Sequence, residues 1–246
     1  MDVKEEELLG GQLGNHWYYV SKGRALRQLL GSEPVGEILD VGAGSGVFSR
    51  QLIDQGLATG AMCVDPAYIR EYVESYRETD ITFTRRIEKV SQDLILMMDV
   101  LEHVDDDLGL LKKYTAGMPS GSRVLITVPA FQFMWSRHDV FLEHRRRYTL
   151  KQLENLVAEA DLRITKGRYF FGLIFPLVAT MRLYDRIRLG AGLITAQSQL
   201  KTASPIVNRT MTAIHDVERC SLFQLNRAFG LTAFCLAERA GKSGQS

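Results

Sequence analysis

A doubly wound α/β fold built on a mostly parallel, seven-stranded sheet is the architecture this chain predicts, on three observations. From Pro34 onward, short apolar runs alternate with amphipathic helical stretches, the pattern of a parallel sheet covered by helices on both faces. The run LILMM at 94–98 is apolar at every position, as a central strand buried on both sides requires. A glycine-rich turn in ILDVGAGSG (38–46) joins the first strand directly to a helix, so free helix N–H groups face a ligand at the sheet edge.

The elements follow in order. NHWYYVSKGRALRQLL (15–30) reads as a helix laid across the ligand edge of the sheet, with residues 15–31 as one N-terminal unit. EILDV (37–41) is a strand and VFSRQLIDQG (47–56) a helix closed by glycine. GAMCVD (60–65) is the next strand, and the apolar spacing of AYIREYVESYRE predicts a helix over 67–78. DITFT (80–84) and QDLILMMDV (92–100) are strands. DDDLGLLKKYTAGM (105–118) has an acidic first turn and later lysines, the sense the helix dipole favours. SRVLITVP (122–129) is a strand, TLKQLENLVAEA (149–160) a helix capped by Thr149, and LRITKGRYFF (162–171) and LTAFCLAER (231–239) the last two strands.

One domain over 1–246 accounts for the whole length. With 30 basic against 29 acidic residues and a net charge of +1, there is no global attraction to nucleic acid, and no nucleic-acid partner is expected. Three cysteines without CxxC spacing argue against a disulfide framework and a zinc site, and the acidic N-terminal stretch has no apolar segment of the signal-peptide kind. A cytoplasmic location is the expectation.

The glycine loop carries the sharpest signal. Gly42, Gly44 and Gly46 form G-x-G-x-G, one residue short of the dinucleotide fingerprint, which disfavours a nicotinamide-dependent oxidoreductase. Asp40 just before it suits a ligand carrying an ammonium. Asp65 ends the next strand, where a carboxylate can accept both hydroxyls of a ribose. ILDVGAGSG, CVDP and DLILMMDVLEHVDDD correspond in order to the glycine loop, ribose acid and fourth-strand motif of class I S-adenosylmethionine-dependent methyltransferases, which the chain resembles over 15–171 and again at 231–239. DVLEHVDD resembles the small-molecule subgroup that includes the ubiquinone-biosynthesis enzymes.

That resemblance implies a Rossmann-like fold and S-adenosyl-L-methionine as cofactor. By position it puts the methionine part on Asp40, Gly42, Ala43 and Gly44, the ribose on Asp65, and the adenine near Pro66 and Ala67. Asp99, Val100 and Leu101 would lie beneath the sulfonium, and the first helix, with Tyr19 and Lys22, would close over the site. Where the family often has an acidic or amide residue near the adenine, this chain reads TRRIEKV, leaving backbone at Arg86 and Ile87.

For chemistry, His103 follows the fourth parallel strand at the carboxyl edge and is a base or a loop anchor. WSRHDVFLEHRRRYT (135–149) emerges at the same edge and reads as a substrate-facing loop. His138, His144 and Tyr148 are its acid–base or hydrogen-bonding candidates. Its arginines (Arg137, Arg145, Arg146 and Arg147) either recognise a carboxylate or phosphate or pair with Asp139 and Glu143. They would also repel a dication, so no metal is expected. Residues 172–230 form an apolar helical insertion before the last strand. Its uncharged stretch, Tyr169 to Met181, is 13 residues with a proline inside, too short to span a bilayer. Substrate lid, homodimer surface and membrane-contact element, with Arg182, Arg186 and Arg188 at the headgroups, stay open in that order. The functional expectation is methyl transfer to a small or lipid-like, apolar and perhaps anionic acceptor, with a non-catalytic scaffold of the same fold as the rival.

Overall fold

The central strand β5 (Leu94–Met98) is buried at all five positions, and its alternate residues serve two cores. Leu94, Leu96 and Met98 belong to one, Ile95 and Met97 to the other, as the two-residue period of a strand dictates. The computed structural model describes residues 13–190 and 202–240; the acidic N-terminal segment and the middle of the insertion lie outside them.

The helix α1 (Trp17–Leu30) is followed by β1 (Gly36–Val41), α2 (Val47–Asp54), β2 (Ala58–Val64), β3 (Tyr72–Tyr76), β4 (Thr79–Thr84) and β5. Then come α3 (Asp107–Thr115), β6 (Arg123–Pro129), α4 (Arg137–Phe141), α5 (Leu150–Glu159), β7 (Leu162–Phe170), α6 (Phe175–Gly190), α7 (Pro205–Ser221) and β8 (Thr232–Arg239). They build one sheet of eight strands in the order β3-β4-β2-β1-β5-β6-β8-β7. β4, β2, β1, β5 and β6 run parallel, while β8 pairs antiparallel with β6 and β7. The order reverses between β1 and β5, so a crevice opens at their carboxyl ends.

The eighth strand corrects the helix expected over 67–78. Tyr72–Tyr76 is a strand antiparallel to β4, with Tyr72 opposite Phe83 and their rings stacked at 4.5 Å. Arg77 and Glu78 both take positive φ, 54° and 65°, the geometry of a two-residue hairpin turn that Asn-Gly normally signals. Here two charged residues adopt it, so the turn was disguised as the hydrophilic face of a helix.

The insertion's α7 packs on α1 at the ligand edge. The Trp17 amide donates to Asn208 Oδ1 at 3.0 Å, and Trp17 stacks on His215 at 5.5 Å. Glu218, fully buried, accepts the Gly172 amide at 2.6 Å and bonds His215 Nδ1 at 3.0 Å, which fixes where the chain leaves β7 to begin α6. Among the described residues no helix is long and apolar enough to cross a membrane.

Candidate functional site

The glycine loop closes the carboxyl end of β1. Gly42, Gly44 and Gly46 all have positive φ (65°, 53° and 70°), a region where a side chain is strained. A Cβ on Gly42 would also sit 2.8 Å from the Val100 side chain. Beside the loop, Asp65 accepts the Gly44 amide at 3.2 Å on one oxygen and the Ala67 amide at 2.9 Å on the other. Tyr68 donates its hydroxyl to the Gly44 carbonyl at 2.6 Å. Both strand ends are thereby bound into one cradle, with Pro66 and Ala67 exposed on its rim. Ala43 is buried within it.

Asp40 lies beneath the loop, 2% exposed, and accepts the Ser49 hydroxyl at 2.8 Å. Burial raises its pKa to about 6, against the lowering effect of the Ser49 bond. A buried carboxyl whose pKa is raised this far is poised to gain from a ligand ammonium.

Across the crevice, Asp99 follows β5 with φ 56°. It pairs with the fully buried Lys22 ammonium, accepts the Thr127 hydroxyl at 3.0 Å and lies 3.4 Å from the Tyr18 hydroxyl. Burial works to raise its pKa, but the Lys22 charge and hydrogen bond outweigh it and hold the carboxyl below the usual range. Tyr19 turns the other way: it is 1% exposed, with its ring against Phe48 at 6.0 Å. Tyr18 stands beside Lys22 and Asp99 at the crevice. Val100 is partly buried and Leu101 fully buried.

The 135–149 stretch is organised around Asp139. This buried carboxylate accepts the Ser136 amide (2.8 Å) and hydroxyl (3.1 Å), Arg147 Nε (2.7 Å) and Nη2 (3.0 Å), and bonds His144 Nδ1 at 2.9 Å. Burial would raise its pKa, yet the His144 bond and the Arg147 charge keep it well below the carboxylate range. Because Asp139 is ionised it accepts from His144, which makes Nδ1 the donor nitrogen of that ring. His103 and His144 stack edge-to-face at 4.7 Å. Glu102 lies with them, 0% exposed; among the described residues neither carboxyl oxygen has a hydrogen-bond partner. Burial, and then the Asp99 charge, hold Glu102 well above its usual pKa. Glu102, His103 and His144 are the trio whose potential ligand atoms come within 4.8 Å of one another, a cluster the spacing arguments did not assemble.

The other candidates separate. His138 is pulled down to about 3 by burial and the nearby Arg182 charge, so it is neutral at physiological pH. The Tyr148 hydroxyl lies 2.7 Å from Asp107 and 3.2 Å from the Leu101 carbonyl, pinning the loop to α3. The loop arginines are each ion-paired: Arg137 with Asp185, Arg145 with Asp105, Arg146 with Asp107 and Arg147 with Asp139. Of these only the Arg147 pair is buried; Arg145 and Asp105 form a loose, mostly exposed contact.

Comparison with known proteins shows the family and the fold. Residues 15–166 match the family model described as a methyltransferase domain. The chain superposes on the complex between the Haloferax volcanii Trm112 methyltransferase activator and a methyltransferase with a TM-score of 0.56, 15% identity, and coverage of 96% of this chain and 94% of that one. A SAM-dependent methyltransferase from Archaeoglobus fulgidus gives 0.52, 17%, 96% and 98%. The Haemonchus contortus phosphoethanolamine N-methyltransferase 2, solved with S-adenosyl-L-methionine, gives 0.53 and 16%, covering 89% of this chain and 52% of that one. A search of curated protein sequences finds no match.

Proposed function

Because the chain belongs to the methyltransferase domain family, we propose that it transfers the methyl group of S-adenosyl-L-methionine to a small or lipid-like acceptor. The observation that carries this reading is the cradle in which Asp65 binds the glycine loop and the end of β2 together. The cofactor supplies a methyl already activated by a sulfonium, so positioning and exclusion of water are the protein's main tasks.

In this reading Asp65 takes the ribose hydroxyls, Asp40 faces the methionine ammonium, and Gly42, Ala43 and Gly44 give the backbone approach. Pro66 and Ala67 border the adenine. Asp99, oriented by Lys22, Tyr18 and Thr127, lies with Val100 and Leu101 below the sulfonium. For an acceptor that loses a proton, His144 is the base: Asp139 holds its Nδ1, and its ring lies against His103 with Glu102 beside them. His103 completes the polar wall, whereas His138 and Tyr148 position the loop.

Two outcomes follow. If the ligand ammonium favours ionised Asp40, affinity for S-adenosylhomocysteine rises as pH increases through about 6. The gain between pH 5 and 7 is about tenfold, because below the pKa each pH unit costs about one factor of ten. Asp40→Asn flattens that profile, and calorimetric titrations across the range read it directly. His144→Gln lowers kcat by about 10²–10⁴ on any acceptor found in a panel of phenols and amines, with S-adenosylhomocysteine affinity unchanged within about twofold. An unchanged kcat would remove His144 from the chemistry.

A further inference from the structure

Each loop arginine lies within ion-pair distance of a carboxylate; a further cation lies beside the loop. Arg182 projects from α6 toward the 132–138 segment, where its Nη1 reaches the Met134 carbonyl at only 3.4 Å. Its Nε is buried and has no hydrogen-bond partner among the described residues. Of the carboxylates near it, Asp139 is bonded by Arg147 and His144, and Asp185 makes a 3.4 Å ion contact with Arg137 that is not a hydrogen bond. Burial, and then the neighbouring Arg147 charge, pull its pKa down to about 9, against the raising effect of Asp139 and Asp185. Aromatic rings gather where α6 begins beside the same segment: Phe131 and Phe175 meet at 5.5 Å, and Phe131 stacks on Tyr169 at 5.0 Å. Met134 lies just beyond the carboxyl end of β6, so Arg182 sits over the edge of the sheet where the crevice opens.

We propose that Arg182 is the anion-binding residue of the acceptor site, and that the acceptor is an amphipathic molecule with a carboxylate or phosphate beside an aromatic or apolar body. This rests on the methyltransferase reading. Arg182 is half-buried, and its buried Nε has no hydrogen-bond partner among the described residues; leaving that N–H unsatisfied is costly, and an incoming oxyanion removes the cost with a bidentate contact. Asp139, Arg147 and His144 are balanced among themselves, leaving the Arg182 charge as the local excess.

The test titrates the full chain, with and without S-adenosylhomocysteine, with 2-naphthoate, 2-naphthyl phosphate and neutral 2-naphthamide. Wild type should bind at least one anion about 10-fold or more tightly than the amide, and the preferred anion assigns the headgroup as carboxylate or phosphate. Arg182→Met should abolish that preference, leave S-adenosylhomocysteine affinity unchanged and not lower Tm. Equal binding of anions and amide, a preference that survives Arg182→Met, or a Tm drop of several degrees (showing the guanidinium already satisfied) would overturn the proposal. Failure of S-adenosylhomocysteine to bind would instead count against the methyltransferase reading, so the two ideas fail separately.

Discussion

Asp65→Ala weakens S-adenosylhomocysteine binding by about 100-fold or more, the largest loss expected of any single site substitution. A carboxylate accepting two ribose hydroxyls makes two charge-assisted hydrogen bonds of about 1.5–3 kcal/mol each, and about 2.7 kcal/mol already corresponds to a factor of 100. Asp65 also accepts the Gly44 and Ala67 amides at 3.2 and 2.9 Å, so its removal loosens the cradle as well. Asp65→Asn separates the two contributions, because it keeps one acceptor oxygen for the backbone and loses the charge. Calorimetry on the three proteins reads the outcome, and retention of wild-type affinity by the alanine variant would remove Asp65 from the site.

The second large effect is on stability. Asp139→Ala leaves Arg147, 5% exposed, as a buried cation without its carboxylate, and also strips acceptors from His144 and the Ser136 amide. Breaking a buried pair by removing one partner costs about 3–5 kcal/mol, measurable as a lower urea midpoint at unchanged slope. The pH dependence has a definite sign. Since the folded pKa of Asp139 lies below its unfolded value, its stabilisation is fully present above about pH 4 and is lost as pH falls through the depressed folded pKa. The gap between wild type and variant therefore narrows in acid. A midpoint unchanged at pH 7 would show that Arg147 finds another partner.

Much of the parallel sheet was readable because its signals are local. LILMM can only be a doubly buried strand, and the three loop glycines at positive φ announce a turn with close backbone approach. Asp65 was readable for the same reason, from its place at a strand end. The β3–β4 hairpin was not, because Arg77 and Glu78 take left-handed backbone without the usual residues for it. The site's wider wiring is long-range: Lys22 meets Asp99 across 77 positions and Tyr148 meets Asp107 across 41. Tyr18 and Tyr19 are adjacent in sequence but differ by the helix face they occupy, and only the position of α1 on the sheet brings Tyr18 beside Asp99. Asp139 was one of several charges in a crowded stretch; its role became visible only once Arg147 and His144 folded back onto it.

The most direct test of the central claim is a calorimetric titration of the wild-type chain with S-adenosylhomocysteine at pH 7.5. The account predicts one site per chain with micromolar affinity. Absence of heat up to millimolar ligand, in a protein shown to be folded, would contradict it.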